Sequence, residues 1–461
     1  MSVKVMLWYD VEDYVTPEAD EALLELIDMM DELGIRSSLK VVGEKARVLQ
    51  ARGRRDILDK MAGHEICYHS KDHSRHPTVT EYCETMGFAE GARAFMDYEQ
   101  PGYEWVRDIT GQHPTSYGQA GASWAPQVFP VIRHWGFPHY LDDHNIIDLG
   151  GRAFWYGGAL TLTRLRHVMR CEHKKGPEEV ARAKAAFRAI VEGGVARAVY
   201  DYETPDERTV LVSIYYHPCE FSCEMFWDGV NFMHGRNPEG ALMAAPVCGS
   251  EERARRIGNL REFLAYTLTF PEVEYITASQ ASAFETVRTL PIAPADMRAW
   301  AEGFTGDITF APVHGAYLAP SELFTLCARA LLGRHLTPEL LYGPEADQPS
   351  ELNGELLDVK ALADAALNQY DTVFGYRQLK TLYVVGNQKL NPMDMLAAMA
   401  SALRTGAASV LANPGARLAA ADYVNPNDDY RNNWLFGPDL MIPGIVRHTK
   451  LQCWTLKPAV F

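Results

Sequence analysis

Three short stretches of this chain hold the residue types and spacings that could carry chemistry. Asp10-Val11-Glu12-Asp13 gathers three carboxylates at the end of an apolar run. Side chains alternate along a strand, so Asp10 and Glu12 should point the same way, with Asp13 turning as the strand ends. By itself such a cluster is more often a set of surface acids in a loop. His69-Ser70-Lys71-Asp72-His73 spaces two imidazoles four residues apart, which puts both on one face if the segment makes a helical turn. Neutral imidazoles with a carboxylate suit zinc and other first-row divalent ions, and positions left open admit water and substrate. The spacing also arises by chance, more readily here because His64 and His76 lie nearby. His217-Pro218-Cys219-Glu220 supplies a third candidate, a histidine able to pass a proton to a leaving group, although a lone histidine is more often structural.

The elements around these stretches raise their standing. Val3–Tyr9 reads as a buried strand. Thr16-Pro17-Glu18 reads as a helix start with an N-cap and Pro at the first position, followed by an apolar stripe (Leu23, Leu24, Ile27, Met30, Leu33) and a stop at Gly34. Ser38–Val42 is a second strand. Ile57–Met61 leads to a strand ending at His69, Val128–Trp135 to another at Pro138–Leu141, and Val210–Tyr216 is a strand that delivers His217. A helix over Glu251–Leu268 and a last strand over Val273–Thr277 complete the series. Repeated βα units imply a parallel sheet or barrel with its chemistry at the C-terminal strand ends, and all three clusters fall there.

In these residues the first part of the chain, from about Val3 to Phe284, resembles the polysaccharide deacetylases with a NodB homology domain, of the carbohydrate esterase family 4 type. Asp10-Val-Glu-Asp-Tyr14 looks like that family's opening acidic motif in its DVED form. Leu33–Glu44 is similar to its second strand, Gly63–His73 to its metal motif, and His217-Pro-Cys-Glu220 to its late histidine motif. The resemblance implies an α/β fold, a distorted (β/α) barrel, and one divalent metal ion, zinc first, with cobalt, nickel or manganese as alternatives. It also implies that one early acid is a general base while another binds the metal with His69 and His73. Asp10 is taken as the base and Glu12 as the ligand because alternation pairs them; Asp13 in place of Glu12 stays open. His217 would be the general acid that protonates the departing amine. One departure stands out: the family's third motif usually supplies an arginine that orients the base, and the matching stretch, Ser116–Trp124, contains none. Gln119 could take that place without charge, or another residue could substitute. Tyr117 and Trp124 are candidates to line a sugar groove, and Asp142-Asp143 to form the family's acidic fourth motif.

Bulk properties fit this picture. With 461 residues, 47% hydrophobic and 23% charged, the chain exceeds what one core usually holds. A linker over Leu290–Asp296 would separate a catalytic domain, 1–290, from a smaller, mainly helical α/β region, 297–461. In that second region Gly315–Leu331 lines up with Asn387–Leu403, each a Leu-x-Pro turn opening a helix, echoed by Tyr342-Gly-Pro344 and Phe436-Gly-Pro438. The spacing loosely resembles pseudomurein-binding repeats, and the region's function is open. Net charge of -16, from 60 acids against 44 bases, argues against a nucleic-acid partner. No apolar run of about 18 residues suggests a membrane span. Eight scattered cysteines without a CxxC pair, and a short apolar N-terminus unlike a signal peptide, lead to the expectation of a reducing, cytoplasmic setting. The expected partner is a carbohydrate or another small amide substrate, with homo-oligomer formation left open. The leading expectation is deacetylation of an N-acetylated amino sugar or oligosaccharide. The rivals are hydrolysis of a non-sugar amide such as a ureide or cyclic imide, and a metal-free carbohydrate-binding protein that has lost catalysis.

Overall fold

The computed structural model describes residues 2–284 apart from 122, 145, 172 and 193–208, and residues 291–461 apart from 427–429 and 431–433. Ten strands of the first part carry the site: β1 (Ser2–Val11), β2 (Ser38–Val41), β3 (Glu65–Tyr68), β4 (Ser116–Tyr117), β5 (His139–Leu141), β6 (Phe154–Tyr156), β7 (Ala159–Leu162), β8 (His167–Met169), β9 (Thr209–Tyr216) and β10 (Val273–Ile276). Together with Lys457–Pro458 near the C-terminus they form one eleven-stranded sheet, in the order Lys457–Pro458, β6, β7, β5, β4, β3, β2, β1, β9, β8, with β10 off this path and paired to β1. Its β1–β5 and β7–β10 pairings are parallel, and only β6 runs against its two neighbours. The α/β class expected from the sequence holds, with the sheet curled into a half-barrel rather than closed into a ring.

β1 is the axis of this sheet. It is buried from Val3 to Val11, as a parallel strand covered on both faces should be. One of its edges is shared: β10 pairs with Val3–Met6 and β2 with Trp8–Val11, while β9 pairs along the other edge from Ser2 to Tyr9. Two registers matter for the site. Asp10 lies opposite Lys40, and Trp8 lies opposite Tyr215.

The concave side is packed below the site by Met6, Trp8, Leu141, Leu160, Leu162, Ile276 and Ala459, so the curl is a core and not a pore. Helices cover the outer face. The first, Glu18–Leu33, ends at Gly34 with φ 68°, as expected. Its start differs from expectation. Thr16 does not cap it, because the Thr16 hydroxyl accepts the Ala245 amide instead, and Asp13 Oδ1 takes the Val15 and Thr16 amides, each at 2.9 Å.

Beyond residue 290 a second apolar core forms around Phe324, Leu326, Leu362, Met395, Leu396 and Met399. The aligned segments share a local form. An antiparallel hairpin, Ala311–Val313 with Ala316–Leu318, precedes helix Pro320–Leu331, and Tyr383–Val385 with Gln388–Leu390 precedes helix Pro392–Thr405. Both helices begin on proline, where the missing N–H costs nothing. The glycine echoes diverge, since Gly343 lies tight against the Leu451 backbone whereas Gly437 lies beside His234. Of the expected linker, Leu290 lies outside the described residues and Pro294–Asp296 already belong to helix Pro294–Gly303. The chain then returns to the first core. Helix Pro443–Gln452 packs there through Ile445 and Val446, and Lys457–Pro458 joins β6. All eight cysteines are free thiols, and among the described residues no helix is long and apolar enough to cross a membrane.

Candidate metal and active site

The C-terminal ends of β1, β3 and β9 converge on one cavity of about 490 Å3, lined among others by Asp10, Glu12, His69, His73 and His217. Strand alternation explains the first set: Trp8 and Asp10 on β1 and Glu12 just past its end follow at every second position, as do Ser213 and Tyr215 on β9 and His217 just past it. Trp8 Nε1 donates to Ser213 Oγ at 2.7 Å, and the Trp8 and Tyr215 rings stack at 4.6 Å.

Glu12, His69 and His73 offer ligand atoms that lie within 4.8 Å of one another, all three residues buried. Glu12 Oε2 is 2.7 Å from His73 Nε2 and 3.7 Å from His69 Nε2. Each imidazole is held from behind. His69 Nδ1 donates to the Gly118 carbonyl at 2.7 Å. His73 Nδ1 faces Asp228 Oδ2 at 3.3 Å and Ser74 Oγ at 2.9 Å, and Ser74 in turn donates to Asp228. Trp227 Nε1 donates to Glu12 Oε1 at 2.9 Å, leaving Oε2 to face the two rings.

This bonding is a test of whether a cation fits. With both Nδ1 atoms committed as donors, the neutral imidazoles turn Nε2 lone pairs toward a carboxylate oxygen, so three acceptors confront one another. A divalent cation is what such a set needs, and carboxylate or carbonyl partners behind ligating histidines are its usual support. Without one, a proton bridges His73 and Glu12. Burial opposes charge on His73, but Glu12 and Asp228 outweigh it and hold its pKa well above the ordinary value. A second grouping, Asp10, Glu12 and His217, is also close enough for a cation. Asp10 is already paired with a lysine, which makes it the poorer ligand.

The HxxxH segment reaches this geometry by another route than expected. It is not a helical turn: Ser70 and His73 have φ of 65° and 61° in a loop, and the rings meet edge to face at 5.4 Å. Left-handed backbone at non-glycine residues is costly and clusters at functional sites. Asp13 does not join the cluster, its carboxylate being spent on the Val15 and Thr16 amides.

Asp10 Oδ2 lies 3.4 Å from His217 Nε2, and His217 Nδ1 donates to Glu220 Oε2 at 2.8 Å, which also receives the Arg170 guanidinium. Burial works against the His217 imidazolium, yet Glu12, Asp10 and Glu220 together push its pKa up to about 10. Asp10 is held below the usual carboxylate range: burial opposes this, and His69, Lys40 and His217 overcome it.

A cation does stand beside Asp10, on Lys40. It is fully buried on β2 directly opposite Asp10, with Nζ 2.8 Å from Asp10 Oδ1, 3.7 Å from Asp142 Oδ2 and 4.3 Å from the centre of the Trp8 ring. Gln119 lines the cavity but accepts from the Tyr117 hydroxyl. Tyr117 and Trp124 are corrections to the sequence reading. Both are buried core residues, Trp124 donating to Thr449 at 3.0 Å, and neither lines the cavity; the aromatic lining is Trp8, Tyr215, Phe226 and Trp434. Asp142 lines the cavity, while Asp143 accepts from Tyr215 at 3.2 Å. Lys40 carried a readable signal, a lone lysine within Leu39–Val42 in strand alternation. Asp228, Trp227 and Trp434 carried none, since long-range folding alone brings them in.

No protein-family model matches this sequence, and neither does any curated protein. Solved structures with similar folds include the PuuE allantoinase (13% identity, 61% of this chain and 89% of that one, TM-score 0.40). A protein from Pseudomonas aeruginosa PAO1 described as a probable polysaccharide deacetylase matches at 12% identity, over 61% and 90%, with a TM-score of 0.40. A family 4 acetyl xylan esterase from Clostridium thermocellum, in complex with a cobalt ion, matches at 12%, over 62% and 93%, with a TM-score of 0.31. Likeness at that level carries no weight for the chemistry, which rests on the side chains themselves.

Proposed function

We propose that this chain is a metal-dependent hydrolase of a non-peptide amide, a deacetylase of N-acetylated amino sugars or their oligomers. The observation that carries the reading is a buried Glu12–His69–His73 acceptor cluster standing beside a lysine-paired Asp10 and a His217 raised to hold its proton. Glu12, His69 and His73 would hold the metal, with zinc first and cobalt, nickel or manganese as alternatives suited to the same donors. An ion bound there would polarise the amide carbonyl and lower the pKa of water toward about 7.

The protein's own groups supply the rest. Asp10, kept ionised by Lys40, accepts the proton of the attacking water as general base. Lys40, which also faces Asp142, fixes the Asp10 carboxylate and balances its charge. His217 enters protonated and gives the Nε2 proton to the leaving nitrogen, while Glu220 holds the ring from Nδ1. Residues 1–290 would form the catalytic unit, with segments from the remaining chain completing it.

The test is acetate release from N-acetylglucosamine oligomers by metal-reconstituted protein, with a His69→Ala control. Release that disappears in the control supports the reading. No release, with one equivalent of metal bound, moves the assignment to a non-sugar amide such as a ureide. No metal and no release would favour a carbohydrate-binding protein without catalysis.

A further inference from the structure

The cavity has an aromatic wall of which the proposed chemistry uses only His217. Trp8 and Tyr215 stack at 4.6 Å, Tyr215 meets His217 at 6.1 Å, His217 meets Phe226 at 5.1 Å, and Phe226 meets Trp434 at 6.5 Å. All five rings line the cavity, and the row passes through the general acid and ends at the mouth. Its last member comes from the far end of the chain.

Trp434 is 38% exposed, unlike its neighbours Leu435 and Phe436, which are fully buried. Those two residues pack in the same apolar cluster as Tyr14 and Trp227, the tryptophan that orients Glu12. Leu435 presses on Gly121 so closely that a Cβ there would meet its Cδ2 at 2.6 Å. The backbone is fixed as well: His234 N donates to Trp434 O at 3.1 Å and Gly235 N to Leu435 O at 2.8 Å. A half-exposed indole on an anchored backbone, facing a cavity, is a prepared contact surface and not a core residue.

We propose that Trp434 is a specificity-determining residue, stacking on a sugar ring next to the one that reacts and selecting oligomers over the monosaccharide. This deepens, and rests on, the reading of the site as a sugar amide hydrolase. The same lining carries polar groups, Asp142, His144 and Gln119, able to bond sugar hydroxyls, while Phe226 and Trp434, set edge to face, leave the half-exposed indole to meet a C–H face. The row is longer than one sugar ring, and the reacting ring is placed by Asp10 and His217 at its middle. Its outer end at Phe226 and Trp434 is then free for a second ring.

The test compares wild type, Trp434→Ala and Trp434→Phe in the full-length, metal-loaded protein. Calorimetric titration uses glucosamine tetramer, which has no acetamide to hydrolyse, and hydrolysis of 4-nitrophenyl acetate reports on the machinery without the outer contact. Trp434→Ala should bind the tetramer about 3- to 10-fold more weakly, the loss of one ring stack, and Trp434→Phe should recover most of it. The KM for N-acetylglucosamine tetramer should rise with little change in kcat, and ester hydrolysis should fall by less than tetramer binding. Equal tetramer affinity in wild type and Trp434→Ala, or ester hydrolysis falling in step with tetramer binding, would overturn the proposal. Wild type that binds the tetramer through Trp434 yet releases no acetate from its N-acetylated form would leave the stacking residue standing and remove the hydrolase reading.

Discussion

At the scale of single residues, the site depends on charge held out of water. Asp10 and Lys40 are both buried, and a buried pair broken on one side is costly because the remaining charge is uncompensated. Lys40→Met should therefore lower kcat by at least about 10-fold and reduce thermal stability. Lys40→Arg should keep more of both, and steady-state kinetics with a melting curve will separate the two. Asp10→Asn removes the base itself and should cost about 10²- to 10⁴-fold in kcat while metal content is kept. His217 gives a pH prediction. It acts protonated, so activity is lost as pH rises through its pKa, and the upward push puts that alkaline limb above the ordinary histidine value. A cation on Glu12 offsets part of the push; Glu220 supplies another part. Glu220→Gln should move the alkaline limb to lower pH by about one unit, and an unmoved limb would mean another group donates the proton.

Much of this level was legible in the sequence. The pairing of Asp10 with Glu12 follows from strand alternation, and the register of β1 against β9 brings in His217. Two readings did not survive for a physical reason: Tyr117 and Trp124 are large aromatic residues in short buried segments, and core packing claimed them. The choice between Glu12 and Asp13 could not be read from types alone, because an aspartate at a strand end serves a ligand set or a turn equally well.

At the scale of elements, close approach sets the geometry. β4 leads into Gly118, where an added Cβ would meet the Leu141 carbonyl at 2.2 Å and Lys40 Nζ at 2.8 Å, and the Gly118 carbonyl orients His69. Gly118→Ala should thus disturb metal and base together, weakening metal affinity by about 10- to 100-fold, as measured by competition with a chelator. Wild-type affinity in that variant would show that β4 does not position the site. β1, β2, β3, β5, β9 and β10 were readable from their apolar runs and from stops such as Gly34, whereas the short strands β4 and β6–β8 and the helices Phe88–Thr110 and Pro177–Glu192 were not read. The loop form of His69–His73 was not, because spacing alone cannot distinguish a helical turn from a loop with two left-handed residues.

At the scale of the whole molecule, the C-terminal residues are part of the first core. Ala459 and Phe461 pack inside the curl beside Leu160 and Leu211, and Lys457 pairs with Glu322 at 2.9 Å, tying the sheet to helix Pro320–Leu331. A chain ending at Leu456 should melt at a clearly lower temperature, and an unchanged melting point would mean the tail is dispensable. Sequence order suggests two units divided near residue 290; a second apolar core lies beyond that point, while Ile445 and Val446 belong to the first. The return of 434–461 could not be read from it, because short apolar segments do not say which core they join.

The central claim is that Glu12, His69 and His73 hold a catalytic metal. The most direct test is metal stoichiometry by elemental mass spectrometry after zinc reconstitution and desalting, on wild type, Glu12→Ala, His69→Ala and Asp13→Ser. The account predicts about one equivalent in wild type and in Asp13→Ser, and little in the other two. No metal in wild type, or a full equivalent retained by Glu12→Ala, would contradict it.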